Sequence, residues 1–123
     1  MITFDNFTSE KGVPIYLQVV HYIQRGIVAG EIIDGDAVPS RRMLSALLGV
    51  NPNTIQKAYA LLEEKGLLAS HPGAKSAMCL TEERIADLRR ELLEGDVAAV
   101  VTNLKQMGLT KDQALELIQR FWE

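Results

Sequence analysis

Two polar clusters in this 123-residue chain carry side chains that suit contact with a nucleic acid. The first holds Arg41 and Arg42, and the second, NPNTIQK over residues 51–57, ends with Gln56 and Lys57. Arginine and lysine neutralise phosphates, which positions a protein on DNA without reading its sequence. The amides of asparagine and glutamine can pair with adenine through two hydrogen bonds, which does read sequence. Candidate phosphate contacts and candidate base contacts therefore lie close together in the chain.

Acidic residues are missing from the stretch that contains both clusters. No Asp or Glu occurs from Ala37 to Leu62, although the whole chain has 16 acidic residues, 13 Lys plus Arg and a net charge of −3. Residues 81–123 are acidic by contrast, with nine acids against six bases. A local positive potential free of acids favours a surface that faces phosphates, and chance is the alternative explanation.

The first cluster lies at the start of a predicted helix. Ser40 suits the N-cap position, where its hydroxyl can accept a hydrogen bond from a free backbone amide, and Gly49 ends the helix. Four apolar residues form the predicted buried face: Met43, Leu44, Leu47 and Leu48.

The second cluster opens the next helix. Asn51 is the predicted N-cap, and Pro52 is the first helical residue, where its missing N–H needs no partner. The predicted inner face consists of Ile55, Ala58, Tyr59 and Leu62, and Gly66 is the predicted stop. Two helices joined by so short a turn are typical of a helix-turn-helix, whose second helix enters the DNA major groove with its N-terminal end. Asn53 then has two possible roles, base contact or helix capping.

The flanking elements complete a winged helix. An earlier helix is predicted from Pro14 to about Gly30, with apolar residues at four-residue spacing: Ile15, Val19, Ile23 and Ile27. Strands over 67–70 and 77–80 predict a β-hairpin, with Pro72-Gly73 at its turn. The predicted fold class is mainly α, a winged helix-turn-helix of three helices plus a β-hairpin wing.

Ala37-Val38 is a further candidate for a very short strand. Residues 1–13 form a predicted N-terminal arm, and residues 14–80 form the winged domain.

Residues 81–123 are predicted to form a short C-terminal helical dimerisation region. Thr81 caps a first helix, which Gly95-Asp96 breaks. Asp96 then caps a second helix, and Thr110 with Gln113 forms a capping box for the third. Three short helices enclose little space, so they are expected to pack on each other and on a second copy of the chain. The predicted dimer interface consists of Leu88, Leu92, Val97, Val100, Val101, Leu104, Ile118, Phe121 and Trp122.

The pattern over residues 14–80 resembles the winged-helix domain of the GntR superfamily of bacterial transcription regulators. The matching residues are Pro14-Ile15-Tyr16, Gly30-Glu31-Ile32, Gly35, Val38-Pro39-Ser40, Arg42, Gly49-Val50, Thr54, Ala58, Leu62 and Gly66-Leu67. The motif NPNT and the tail of about forty residues resemble those of the YtrA subfamily. In that subfamily the short helical tail dimerises and encloses no ligand pocket of its own.

The resemblance implies a DNA-binding surface. Arg42 matches an arginine that reaches DNA in characterised members, and Gly73 matches the glycine at the wing tip. The predicted DNA-binding residues are Ser40, Arg41, Arg42, Asn51, Pro52, Asn53, Thr54, Gln56, Lys57, Gly73 and Lys75. The wing departs from the family pattern, because His71-Pro72 stand where basic residues are common and Ala74-Lys75-Ser76 replace K-G-T. Contact of the wing with the minor groove is therefore left open.

The predicted function is that of a sequence-specific transcription regulator, a homodimeric repressor that binds an inverted repeat in double-stranded DNA. The alternative is a winged-helix protein-interaction module that does not bind DNA. No constellation of catalytic residues is present, so no enzyme, cofactor or metal is predicted. Whether a small-molecule effector exists is left open.

The chain shows no signal peptide and no membrane span, which predicts a cytoplasmic protein. Its one cysteine, Cys79, is expected to be a small buried apolar residue, with a redox sensor as the alternative.

Overall fold

The computed structural model describes residues 1–70 and 75–123. Its elements are α1 (Ile15–Val28), α2 (Arg41–Leu48), α3 (Pro52–Glu64), β1 (Leu68–Ala69), β2 (Ala77–Met78), α4 (Glu82–Gln106) and α5 (Lys111–Trp122). The chain divides into two compact units, Met1–Leu88 and Arg89–Glu123. The predicted fold class, mainly α with three helices followed by a small antiparallel hairpin, is confirmed. No helix among the described residues is long and apolar enough to cross a membrane.

The core of the first unit is built around α3, which contacts both α1 and α2. The apolar spacing of α1 and α3 puts one stripe of each helix into this core, as predicted. Seven large side chains are almost completely buried: Val19, Val20, Ile23, Ile27, Leu44, Ile55 and Leu62. Full burial of each aliphatic side chain contributes about 1.5–3 kcal/mol to the free energy of unfolding. These contacts therefore hold α2 and α3 in place.

Capping sets where α2 and α3 begin. The Ser40 hydroxyl accepts a hydrogen bond from the Met43 amide at 3.1 Å, and the Asn51 side chain accepts one from the Asn53 amide at 2.8 Å. Gly49 ends α2 with a φ of 69°, a left-handed conformation that residues with a side chain rarely adopt. Only residues 49–51 separate the two helices, and this confirms the predicted helix-turn-helix.

The predicted buried face of α2 is wrong for two of its four residues. Met43 is 52% exposed and Leu47 is 64% exposed, whereas Leu44 is fully buried. A helix of eight residues whose main contacts are with α3 buries a narrow stripe, and Ser45 takes a place in it beside Leu44. The apolar character of these residues alone did not distinguish the buried side of α2 from its exposed side.

The N-terminal segment packs against α1 within the first unit. The Ile2 amide donates to the Ala37 carbonyl at 2.8 Å, and the Phe4 ring stacks on Tyr22 of α1 with 4.7 Å between ring centroids. The buried amide of Gln18 accepts from the Glu10 amide and donates to the Glu10 and Val13 carbonyls, at 2.7–2.9 Å. These bonds hold the segment along α1.

The hairpin is shorter than predicted. β1 and β2 pair antiparallel over two residues each, with Leu68 opposite Met78 and Ala69 opposite Ala77. The predicted strand at Ala37-Val38 is a single bridge, in which Ala37 pairs with Ala77 and Val38 donates to Ser76. The predicted turn at Pro72-Gly73 lies outside the described residues.

The predicted break at Gly95-Asp96 is wrong, because α4 is one helix of 25 residues. A glycine inside a helix costs roughly 1 kcal/mol relative to alanine, which good helix formers on both sides can offset. The flanking residues Leu92, Leu93 and Glu94 and the alanines Ala98 and Ala99 supply that helical context. The cap at Thr81 and the capping box of Thr110 with Gln113 are as predicted.

Gly95→Ala is expected to raise the free energy of unfolding by roughly 0.5–1 kcal/mol, because a methyl group there meets no atom within 4 Å. Gly108→Ala is the matched control. Its methyl group would also meet open space, but Gly108 has a φ of 83° and alanine would cost roughly 1–2 kcal/mol. Urea unfolding measures both. Destabilisation by Gly95→Ala would show that α4 is interrupted there.

Candidate nucleic-acid interface

The two polar clusters of the sequence meet in space. Arg41, the first residue of α2, donates from its Nη1 to the side-chain Oε1 of Gln56 in α3. Both side chains are exposed. Because arginine carries only donors, the atom of Gln56 that faces it must be the carbonyl oxygen. Residues that are 15 positions apart therefore form one hydrogen-bonded pair on the surface.

Lys57 is held by an aromatic ring. Its Nζ lies 4.1 Å from the centroid of the Tyr16 ring, a cation–π contact worth about 0.5–1 kcal/mol at an exposed site. Tyr16 is half-buried, which leaves its ring face available to the ammonium group. Sequence reasoning missed this role. The Pro14-Ile15-Tyr16 motif was the signal that could have pointed to it.

Tyr59 anchors the loop in front of α2. Its buried hydroxyl donates to the Pro39 carbonyl at 2.7 Å, next to the capping residue Ser40. Burial raises the pKa of the Tyr59 hydroxyl well above its usual range, and the nearby positive charge of Arg41 lowers it by less. The assignment of Tyr59 to the inner face of α3 is confirmed.

The burial of the Tyr59 hydroxyl predicts a loss of stability in alkali. A tyrosine in the unfolded chain loses its proton near pH 10, whereas the raised pKa keeps Tyr59 protonated in the fold. Stability from this group is complete below about pH 10 and declines above it, because the unfolded state then binds fewer protons. Tyr59→Phe is expected to cost roughly 0.5–1.5 kcal/mol at pH 8 and to flatten the decline between pH 8 and pH 11.

Tyr22→Phe is the matched control for that measurement. Tyr22 also donates to a backbone carbonyl, that of Thr3, but this hydrogen bond is exposed and Tyr22 is only half-buried. Its variant should keep the full alkaline decline. Equal pH dependence in Tyr59→Phe and the unaltered protein would contradict the account.

The remaining predicted contacts are mostly exposed at the helix starts. Ser40, Arg42, Asn51, Pro52 and Asn53 are exposed, Thr54 is half-buried and Lys75 is exposed. Gly73 lies outside the described residues. The Asn51 oxygen is already used in the cap, so this side chain has its NH₂ group left for a ligand. Within residues 1–70 and 75–123, no group of three or more His, Cys, Asp or Glu could hold a metal ion.

The expectation that Cys79 is buried is wrong. The residue is exposed, because its place after β2 leaves it on the outer side of the short hairpin. Its Sγ lies 3.8 Å from the Nη1 of Arg84, which also donates to the Gly66 carbonyl at 2.7 Å.

A second surface lies in the unit Arg89–Glu123. The last three turns of α4 and the face of α5 line an open apolar groove of about 650 Å³. Exposed apolar side chains include Val97, Val100, Val101, Ile118, Phe121 and Trp122, with exposed fractions from 41% to 85%. Leu92 and Leu104 are half-buried. Leu88 is only 6% exposed within its own chain, so it offers a partner little surface.

A winged helix-turn-helix with exposed cationic and amide side chains at the starts of α2 and α3 defines a DNA-binding domain. Similarity to known proteins supports the assignment to this class. The family described as "Bacterial regulatory proteins, gntR family" matches residues 15–76. The chain belongs to this family, which confirms the resemblance drawn from the sequence.

Two curated relatives and one solved structure show how much of the chain is shared. An uncharacterised HTH-type transcriptional regulator of Bacillus subtilis, YhcF, is 34% identical over 119 residues and 97% of both chains. The HTH-type transcriptional repressor YtrA of the same bacterium is 30% identical, over 76% of this chain and 68% of its own. A GntR family transcriptional regulator from Listeria monocytogenes matches with a TM-score of 0.82 and 31% identity, over 91% of this chain and 98% of its own.

These relatives place the chain among regulators of YtrA-like type. It is a DNA-binding transcription regulator, and its relatives are regulators rather than enzymes.

Proposed function

We propose that the protein is a homodimeric repressor that binds an inverted repeat in double-stranded DNA through the starts of α2 and α3. The observation that carries the proposal is the exposed surface at these helix starts. It presents Arg41, Arg42 and Lys57 together with the amides of Asn53 and Gln56, in a stretch without acids. The α3 start supplies base contacts, and the cations supply phosphate contacts. A bacterial regulator meets its DNA in the cytoplasm, which is where we place this one.

The apolar face of the C-terminal unit supports the dimer. Trp122 is 85% exposed and Phe121 80% exposed in the single chain, beside the open groove between α4 and α5. A contiguous apolar surface of this kind is typical of a protein–protein interface. In the dimer the two grooves face each other across a twofold axis, and this gives an isologous contact. Two DNA-binding units related by that axis explain an operator with two inverted half-sites.

Repression rather than activation is proposed from the similarity to YtrA, whose name describes it as a repressor. A bound dimer that covers a promoter is sufficient for this role.

The test begins with selection of random duplex DNA by the purified protein. We expect an enriched inverted repeat with half-site centres about 34–36 Å apart, or a multiple of that distance. Asn53→Ala should then relax base preference by roughly 1–3 kcal/mol at one position of each half-site. Lys57→Ala should weaken all sequences alike and reduce the salt slope by about one. Equal losses on every sequence from both variants would refute the assignment of Asn53 to base readout.

The alternative role, a module that binds only proteins, makes the opposite prediction in a direct titration. Fluorescence polarisation with the selected duplex at two salt concentrations separates the roles. Affinity that rises as salt falls, with preference for the selected site, supports the regulator. No enriched sequence and no binding at low salt would support the module.

A further inference from the structure

The hydrogen bond between Arg41 and Gln56 constrains which base Gln56 can read. A glutamine recognises adenine by accepting from N6 with its oxygen and donating to N7 with its nitrogen, both on the same base. In this structure the oxygen accepts from Arg41 instead. The amide then has its NH₂ group, rather than both of its atoms, left for a ligand. The adenine pairing expected from residue type alone is therefore disfavoured while this bond lasts.

The pair displays hydrogen-bond donors and few acceptors. The guanidinium of Arg41 has five N–H donors and no acceptor, and one donor is used on Gln56. The Gln56 NH₂ adds two more donors beside it. In the major groove guanine offers two acceptors, N7 and O6, and no donor of its own, whereas adenine offers one of each. A paired set of donors therefore matches guanine better than any other base.

We propose that Arg41 and Gln56 act as one specificity-determining unit that reads a guanine in each half-site, with Arg41 setting the orientation of the Gln56 amide. This inference rests on the proposed function, because it requires the start of α3 to face the major groove. It changes the role of Arg41 from a phosphate contact to a residue that selects a base. It also predicts that the identity of the base read by Gln56 depends on residue 41.

The test is a change of preference on removal of Arg41. In Arg41→Met the Gln56 oxygen is released, so both atoms of the amide can pair with adenine. We expect one position of each half-site to change from guanine to adenine in selected DNA, by about tenfold in relative affinity. Selection is done at low salt, where the remaining phosphate contacts keep the variant bound.

Arg42→Met is the matched control, since it removes the same charge from the neighbouring residue of the same helix. Only Arg41 donates its side chain to Gln56 in the contacts of the described residues. Arg42→Met should lower affinity and leave guanine preferred at that position. An unchanged base preference in Arg41→Met, or the same change in both variants, would overturn the proposal.

A second measurement uses the unaltered protein, so it does not depend on how well a variant folds or binds. Operator duplexes are made with single guanines replaced by 7-deazaguanine, which lacks the N7 acceptor. One such guanine in each half-site should weaken binding by about tenfold, and the same replacement should have little effect on Arg41→Met. If no guanine in the half-site is sensitive, the inference fails although the protein binds DNA. If the protein selects no DNA at all, the proposed function fails instead.

Discussion

Val97→Glu is expected to produce a monomer whose affinity for the full operator is at least about 100-fold lower. Val97 lines the apolar groove of the C-terminal unit and is 60% exposed in the single chain. In the proposed dimer this face is buried, so the variant would place two carboxylates in an apolar contact near the twofold axis. Loss of the dimer removes the gain from binding two half-sites at once, which commonly amounts to a factor of 100 or more.

Sedimentation equilibrium and operator titration together measure this effect. Ile33→Glu is the matched control, because Ile33 is also 60% exposed but lies in the first unit. It should remain dimeric and bind the operator with nearly unchanged affinity. A Val97→Glu protein that stays dimeric at micromolar concentration would show that the groove is not the interface.

Leu62→Ala is expected to cost about 2–5 kcal/mol in the free energy of unfolding. Leu62 is fully buried on α3, the helix that both α1 and α2 contact. Truncation would leave a cavity at the centre of the domain in addition to losing buried surface. Because small domains are stable by only about 5–15 kcal/mol, this one change is expected to remove much of that stability and to populate unfolded chains at 37 °C.

Leu47→Ala is the matched control for the core, since it is the same substitution on the neighbouring helix. Leu47 is 64% exposed, and alanine is a better helix former, so the change should stay within about 0.5 kcal/mol. Urea unfolding followed by circular dichroism measures both variants. A large loss of stability in Leu47→Ala would show that Leu47 is buried, as the sequence predicted.

Local chemistry made the helix-turn-helix predictable. Ser40, Asn51 and Pro52 each suit one position at a helix start, and Gly49 suits the one residue that must turn left-handed. These preferences act over three or four residues, so they can be read from a single sequence. The inner face of α3 followed from its spacing for the same reason, since a longer helix packed on two neighbours shows a clear stripe.

Features that depend on distant packing could not be read in this way. The exposure of Met43 and Leu47 is decided by how few neighbours α2 has, which no local pattern reveals. The continuity of α4 through Gly95 depended on a balance of about 1 kcal/mol between one poor helix former and its neighbours.

The contacts within the candidate interface were equally hidden. The Arg41–Gln56 bond joins two residues that are 15 positions apart in the chain. The contact of Lys57 with the Tyr16 ring joins two residues that are 41 positions apart. Residue types at the surface were therefore predictable, but the side-chain atoms already engaged within the chain were not. That difference changes the base expected for Gln56 from adenine to guanine.

The amino terminus also protects the sheet of the wing. Ala37 forms a β-bridge with Ala77 of β2, and the neighbouring Val38 amide donates to the Ser76 carbonyl on the same side. Its carbonyl points to the opposite side, and there it accepts from Ile2. The first residues thus occupy the outer edge, a position at which an unpaired strand would invite pairing with other chains. Removal of residues 1–5 would open that edge and take Phe4 away from the Tyr22 ring, so a shortened protein would be prone to aggregate although α2 and α3 are intact.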